Sequence, residues 1–295
     1  MKLFLIFIYI IYFSHISYNQ IVINNNDFDL SEINCEIVGS GKPILMIHGM
    51  SVDLRVMKNS FEPIFAELAR DWKRIYLDLP GMGKTKPFDW IENSDDMVVF
   101  LLNFIDKIIP NEDFIIVGYS YGGYLARGLI TQKEANIAGG IFVCPLIFPK
   151  DKNRNVPRDI SYKRDTAVYN KLDFETKRLL DFFIVNQDSA KISRFNNDIL
   201  NGHKIANRSY TDRIRNNYKN YEFSKKITGN FKPYEKPVLF ITGKQDVLVG
   251  FSDAQSILKY FPNNTFISID RAGHAVQIDA PQQFEVEIKK FLNNL

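Results

Sequence analysis

Cysteine is nearly absent: Cys35 and Cys144 are the only two in 295 residues. That excludes a disulfide-stapled scaffold and any zinc-finger spacing. Each sits in an apolar, strand-like run, so both are expected to be buried thiols. An excess of one charge is also missing. Lys and Arg number 37 against 34 Asp and Glu, a net +3, which gives no basis for a nucleic-acid partner. No P-loop and no dinucleotide glycine fingerprint occurs, which removes the usual phosphate cradles. Internal repeats and low-complexity tracts are lacking as well. No apolar run reaches the roughly 20 residues that a bilayer-spanning helix needs. The nearest is Leu3–Phe13, preceded by Lys2 and followed by polar residues. That pattern fits a signal peptide or N-terminal anchor over residues 1–17. It predicts a secreted, periplasmic or membrane-anchored protein; the alternative is a packed apolar strand or helix in a cytoplasmic one.

What remains is a chain of ordinary composition, 45% hydrophobic and 24% charged, long enough to bury a large core. From Ile33 it reads strand, turn, strand ("INCEIVGSGKPILMIHG"), with Gly39 and Gly41 punctuating a hairpin-like turn. Helical spacing over 55–70 precedes the strand and loop "RIYLDLPG". A helix over 95–108 precedes the strand "FIIVG", a helix from Tyr121 and the strand "GGIFVCPLIF". The strands are near-continuous apolar runs, the mark of a sheet covered on both faces. We therefore expect an α/β fold, a mostly parallel central sheet with helices on both faces. Residues 149–236 break the rhythm. They are polar, carry 20 Lys and Arg against 11 Asp and Glu (+9), and read as an inserted helical cap. Residues 18–148 and 237–295 then form the core. "PVLFITG", a helix near 252–260, "TFISID" and a helix from Pro281 complete it.

Ser120 ends a buried strand and begins a helix, with Gly118 and Gly122 at i−2 and i+2. This is the G-x-S-x-G elbow, in which a sharp turn pushes the hydroxyl above the sheet. The flanking glycines are needed because side chains there would crowd the neighbouring strand or helix. A serine hydroxyl needs a base, and only four histidines are available: His15, His48, His203 and His274. His15 lies in the N-terminal segment and His203 in the polar cap, where a solvated face is expected. His274, in a loop just past an apolar strand, is the best base. Asp246 follows the strand "PVLFIT" and suits the carboxylate that orients the base; Asp253 and Asp270 are the alternatives. The position after the Cys144 strand offers no carboxylate until Asp151. The strand "LMI" runs into His48-Gly49-Met50, so the backbone N–H groups of Met50 and Tyr121 are the candidate oxyanion donors. His48 is expected to hold that loop by hydrogen bonds. Asp78, in "LDLPGMGKT", is expected to be structural.

Together, "HGM", "DLPGMG", "GYSYGG", "GKQD" and "AGH" resemble the α/β-hydrolase family in order and spacing over roughly residues 30–295 apart from the cap. The resemblance implies a Ser120–His274–Asp246 triad, an acyl-enzyme and a small-molecule acyl substrate. It implies no metal and no organic cofactor. Hydrolysis of a carboxylic ester or a related acyl bond is the leading expectation. A C–C bond hydrolase is weakened by Ala275 after the histidine. A proline-iminopeptidase-like peptidase and, from a different class, a non-catalytic ligand-binding relative stay open. Serine in place of an aspartate nucleophile argues against dehalogenase and epoxide hydrolase chemistry. The basic cap reads first as a solvated face; attraction to an anionic substrate or an anionic membrane surface is the sharper reading.

Overall fold

The computed structural model describes residues 28–228 and 232–295. The N-terminal segment 1–17, with His15, lies outside the described residues. Among those described, no helix is long and apolar enough to cross a membrane.

The core is a seven-stranded sheet with helices between its strands, interrupted by one inserted segment. In chain order the first half is β1 (Cys35–Val38), β2 (Lys42–Ile47), α1 (Arg55–Phe65), β3 (Trp72–Leu77), α2 (Ser94–Ile108), β4 (Phe114–Tyr119), α3 (Tyr121–Lys133) and β5 (Ile137–Val143). The inserted segment follows, with β6 (Lys163–Arg164), α4 (Thr166–Tyr169), α5 (Phe174–Phe183), β7 (Asn186–Gln187), α6 (Ser189–Phe195), α7 (Asn201–Ile205), α8 (Arg208–Arg215), α9 (Tyr218–Tyr221) and α10 (Lys225–Thr228). β8 (Val238–Gly243), α11 (Phe251–Gln255), β9 (Asn264–Ile269), α12 (Val276–Asp279) and α13 (Pro281–Asn293) close the chain.

The sheet order is β1-β3-β2-β4-β5-β8-β9, parallel throughout except for β1, which runs antiparallel to β3. Every residue of β4 and β8 is buried, as their unbroken apolar runs predict. The expected hairpin is corrected: β1 and β2 are joined by a tight turn, but β3 lies between them. The reason is burial. β2 is buried on both faces and belongs in the sheet interior, whereas β1 is half-exposed and suits an edge. Gly39 and Gly41 take positive φ and carry the chain across the start of β3.

α2 packs on α3 along one face of the sheet, and α1 meets α13 along the other. α2 shows how local sequence supports this. Asn93 caps its first turn by accepting the Asp96 N–H. Asp95 and Asp96 face the positive end of the helix dipole, and Lys107 the negative end. Because β2, β4, β5, β8 and β9 are parallel, their carboxyl ends share one edge of the sheet. His48, Ser120, Asp246 and His274 all follow those ends.

Candidate functional site

Ser120 sits between β4 and α3 with φ +55° and ψ −117°, a conformation that L-residues adopt only under constraint. The constraint is visible. Its N–H donates to the Val143 carbonyl, and its own carbonyl accepts from Gly123, Tyr124 and Leu146. The turn needs glycine beside it, since a Cβ at Gly122 would lie 2.2 Å from the Ile47 carbonyl oxygen and one at Gly118 2.5 Å from that of Gly122. The strain thus holds the hydroxyl away from the sheet and toward His274.

Ser120 Oγ lies 2.9 Å from His274 Nε2, and His274 Nδ1 lies 2.8 Å from Asp246 Oδ2. His274 and Asp246 are buried. The other carboxylate oxygen, Asp246 Oδ1, accepts the N–H groups of Leu248 and Val249, so the acid is held from both sides. The imidazole is gripped between two rings, Tyr119 at 5.1 Å and Phe183 at 5.4 Å between centroids. Asp253 instead accepts the Asn155 N–H, and Asp270 the Gln245 side-chain amide; neither reaches His274.

Chemically, the Ser120–His274–Asp246 chain can move a proton from a hydroxyl to an imidazole whose cationic form faces a carboxylate. Cys144 Sγ lies within 4.8 Å of the ligand atoms of Asp246 and His274, a grouping that invites a metal. The donor set fits one poorly. Both ring nitrogens of His274 are already engaged, and burial pushes the Cys144 thiol well up, away from the thiolate a metal requires.

His48 is buried, with Nδ1 2.7 Å from the Gly49 carbonyl and Nε2 accepting the Leu79 N–H at 2.9 Å. These two bonds define a neutral ring, donating at Nδ1 and accepting at Nε2. Burial pushes its pKa down, which agrees. The ring thereby orients the Gly49–Met50 loop. A Cβ on Gly49 would meet Ser120 Cβ at 3.0 Å, which explains glycine there. Among the described residues, neither the Met50 nor the Tyr121 N–H is spent on a backbone partner; Tyr121 opens α3, where such donors are orphaned. Asp78 is buried and accepts from Asn34, Leu54 and Lys84, stapling three loops.

A cavity of about 460 Å³ opens above Ser120 and His274. Its walls come from the Gly49–Val52 loop, from Leu248 and Val249 and, across from them, from the inserted segment with Leu179, Phe183, His203 and Tyr221. His203 therefore departs from the solvated face expected of it. α7 packs against Asp53 through Gly202, which leaves His203 half-buried in the cavity wall. Burial and the nearby Arg208 push its pKa down. Cys35 also departs from expectation: it is only half-buried, because β1 is an edge strand, and both thiols are free.

Two features carry no signal in the sequence. The ring of Tyr121 is buried; its hydroxyl is 2.9 Å from Ser94 Oγ and the ring stacks on Tyr221 at 5.2 Å, tying the elbow to the inserted segment. Asp279 is buried as well. It accepts the N–H groups of Gly273, Val185 and Asn186, and the Ala275 N–H donates to the Phe183 carbonyl at 2.8 Å. The histidine loop and the inserted segment are therefore joined on both sides of His274, through the Asp279 carboxylate at Gly273 and directly by backbone at Ala275.

Comparison with known families matches residues 42–281 to the family described as the alpha/beta hydrolase fold. The chain belongs to that family. Pimeloyl-[acyl-carrier protein] methyl ester esterase of Legionella pneumophila (strain Corby) is 22% identical over 273 residues, covering 88% of this chain and 99% of its own length. Among solved structures, an alpha/beta superfamily hydrolase from Oenococcus oeni PSU-1 superposes with a TM-score of 0.78 at 27% identity, covering 90% of this chain and 96% of that one. A thermophilic esterase from Thermogutta terrifontis shares the fold at a TM-score of 0.64 and 19% identity, covering 89% and 93%.

Proposed function

We propose that this α/β-hydrolase is a serine hydrolase that cleaves a carboxylic ester through an acyl-enzyme on Ser120. The hydrogen-bonded chain from Ser120 Oγ to His274 to Asp246 Oδ2 carries this reading. Ser120 Oγ attacks the ester carbonyl while His274 Nε2 takes its proton. Asp246 accepts the Nδ1–H and stabilises the imidazolium. The Met50 and Tyr121 N–H groups donate to the oxygen as charge develops on it, an interaction typically worth about 10²–10³ in rate per donor. His274 returns the proton to the departing alcohol. Water then attacks the acyl-enzyme with His274 again as base, releasing the acid and restoring Ser120. The inserted segment acts as a cap that walls off the site. The esterase names of the Legionella relative and the Thermogutta neighbour support an ester over a peptide or a C–C bond.

The test pairs short-chain p-nitrophenyl esters with a fluorophosphonate probe. Wild type should turn over the esters and be labelled on Ser120, and Ser120→Ala should lose both while keeping its melting temperature. Equal turnover by the two proteins, or label elsewhere, would sink the proposal. Faster consumption of a dienoate ring-fission product than of any ester would favour C–C cleavage instead.

A further inference from the structure

The cavity above Ser120 carries more positive charge than hydrolysis of a neutral ester requires. Three arginines, Arg154, Arg178 and Arg215, line it against one aspartate, Asp151, leaving a formal +2. Arg154 is fully occupied. Its guanidinium donates to the carbonyls of Phe148, Pro149 and Leu248 and pairs with Asp151. Arg178 on α5 and Arg215 at the end of α8 differ. Both are exposed at the cavity, and among the described residues neither donates a hydrogen bond or forms an ion pair. Elsewhere in the inserted segment arginines are mostly matched: Arg164 with Asp181, Arg194 with Asp198, Arg208 with Glu175, and Arg213 with the Ile91 carbonyl. Arg158 is unmatched too, but it lines a different hollow. Much of the remaining cavity wall is apolar, including Val52, Leu146, Leu179 and Phe182. An apolar wall that holds two uncommitted guanidiniums fits a substrate with an apolar body and an anionic group.

We propose that Arg178 and Arg215 form an anion subsite, and that the substrate is an ester carrying a carboxylate or phosphate remote from the scissile bond. The proposal rests on the ester hydrolase reading above. The anion can sit on either side of the ester, as a carboxylate ending the acyl chain or as a phosphate on the alcohol.

The experiment measures kcat/KM for two matched pairs: monoethyl adipate against ethyl hexanoate for the acyl side, and 2-acetoxyethyl phosphate against 2-methoxyethyl acetate for the alcohol side. One anionic member should exceed its neutral partner roughly fivefold to tenfold at low salt, as expected for two partly exposed charge pairs. High salt should erode that preference. The Arg178→Gln/Arg215→Gln double variant should bring the ratio to about one. A Lys259→Gln/Lys290→Gln double variant, which removes the same two charges from residues that do not line the cavity, should leave the ratio as in wild type and control for net charge. Neutral esters consumed as fast as both anionic ones would overturn the subsite while leaving the ester hydrolase standing. No turnover of any of the four, with no labelling of Ser120, would overturn both. Sedimentation of the protein with phosphatidylserine vesicles, lost in the double variant and unaccompanied by ester discrimination, would assign these arginines to a membrane surface and equally refute the subsite.

Discussion

Asp279 is caught between two opposing effects, and their balance predicts a measurable dependence of stability on pH. Its carboxylate accepts three backbone N–H bonds, from Gly273 at 2.8 Å and from Val185 and Asn186 at 3.0 Å. Such donors favour the charged form. Burial, with only 6% of the residue exposed, favours the neutral one. Burial wins: the pKa is pushed up from 3.8 to about 6. A tenfold change in proton affinity corresponds to about 1.4 kcal/mol. Between the unfolded and folded values the native protein holds a proton that the unfolded chain has released. The stabilisation from this group is therefore fully present below the unfolded pKa and is lost as pH rises through about 6.

The perturbation is Asp279→Asn, which keeps the shape and cannot ionise. Urea unfolding of both proteins, followed by fluorescence from about pH 4.5 to 7.5, isolates the group, because every other titration cancels in the difference. From pH 4.5 the titration spans about 1.5 pH units up to pH 6, so the wild-type stability minus that of the variant should fall by about 2 kcal/mol on going to pH 7.5. Asp198 and Asp253, also raised by burial, titrate in both proteins and drop out. A difference that is flat with pH would refute the reasoning. A rise confined to below about pH 4.5, with the difference flat above it, would show that the N–H cradle outweighs burial and holds the carboxylate below its usual range.

Asp246→Asn should lower kcat by about 10³–10⁴ with little change in melting temperature. The Leu248 and Val249 N–H groups hold the Oδ1 position, so they pin the amide with its NH₂ toward His274 and force the proton onto Nε2, where it blocks the base; kcat near wild type would count against the assigned role. Gly122→Ala places a methyl 2.2 Å from the Ile47 carbonyl and should cost about 1–3 kcal/mol of stability, read as a lower melting temperature. The Cys144 thiol, buried and pushed up, should resist iodoacetamide in the native protein at mildly alkaline pH and be alkylated only in urea, as mass spectrometry of the peptides would report; rapid native labelling would contradict its burial.

The strands around the site were legible because parallel strands buried on both faces write themselves as apolar runs, and the loop after each strand's carboxyl end marks where side chains converge. Ser120, Asp246 and His274 could be picked out because each sits just past such a run and because so few histidines compete. Strand order was not legible at β1. Nothing local distinguishes a hairpin from a strand that crosses to the far side of β3, since both need the same glycine turn; only the half-exposed pattern of β1, a tertiary quantity, separates them.

The inserted segment read as helical, but most of its individual elements stayed opaque, for a different reason. Its helices are short, four to ten residues, below the length at which helical periodicity stands out, and they persist by packing on the core. One local signal was there to be read: Asp165, Asp173, Asp188, Asn207 and Asn217 each cap the first turn of the helix that follows. Between α6 and α7 the helix does not stop but widens into a π turn over Asn196–Leu200, and this helical stretch carries on through Gly202 to His203, beside the cavity.

Asp279 marks the limit of what a sequence can disclose. Its bonds are to backbone N–H groups, which every residue but proline possesses, so no pattern of side chains announces them. Two of its partners, Val185 and Asn186, lie more than ninety positions away. Yet these bonds, with the Phe183 carbonyl and ring, are what couple the His274 loop to the inserted segment. His274, the base of the proposed reaction, is thus held partly by the segment that also walls the cavity, so a change that loosens that wall should disturb the geometry of the proposed proton transfer as well as the shape of the cavity.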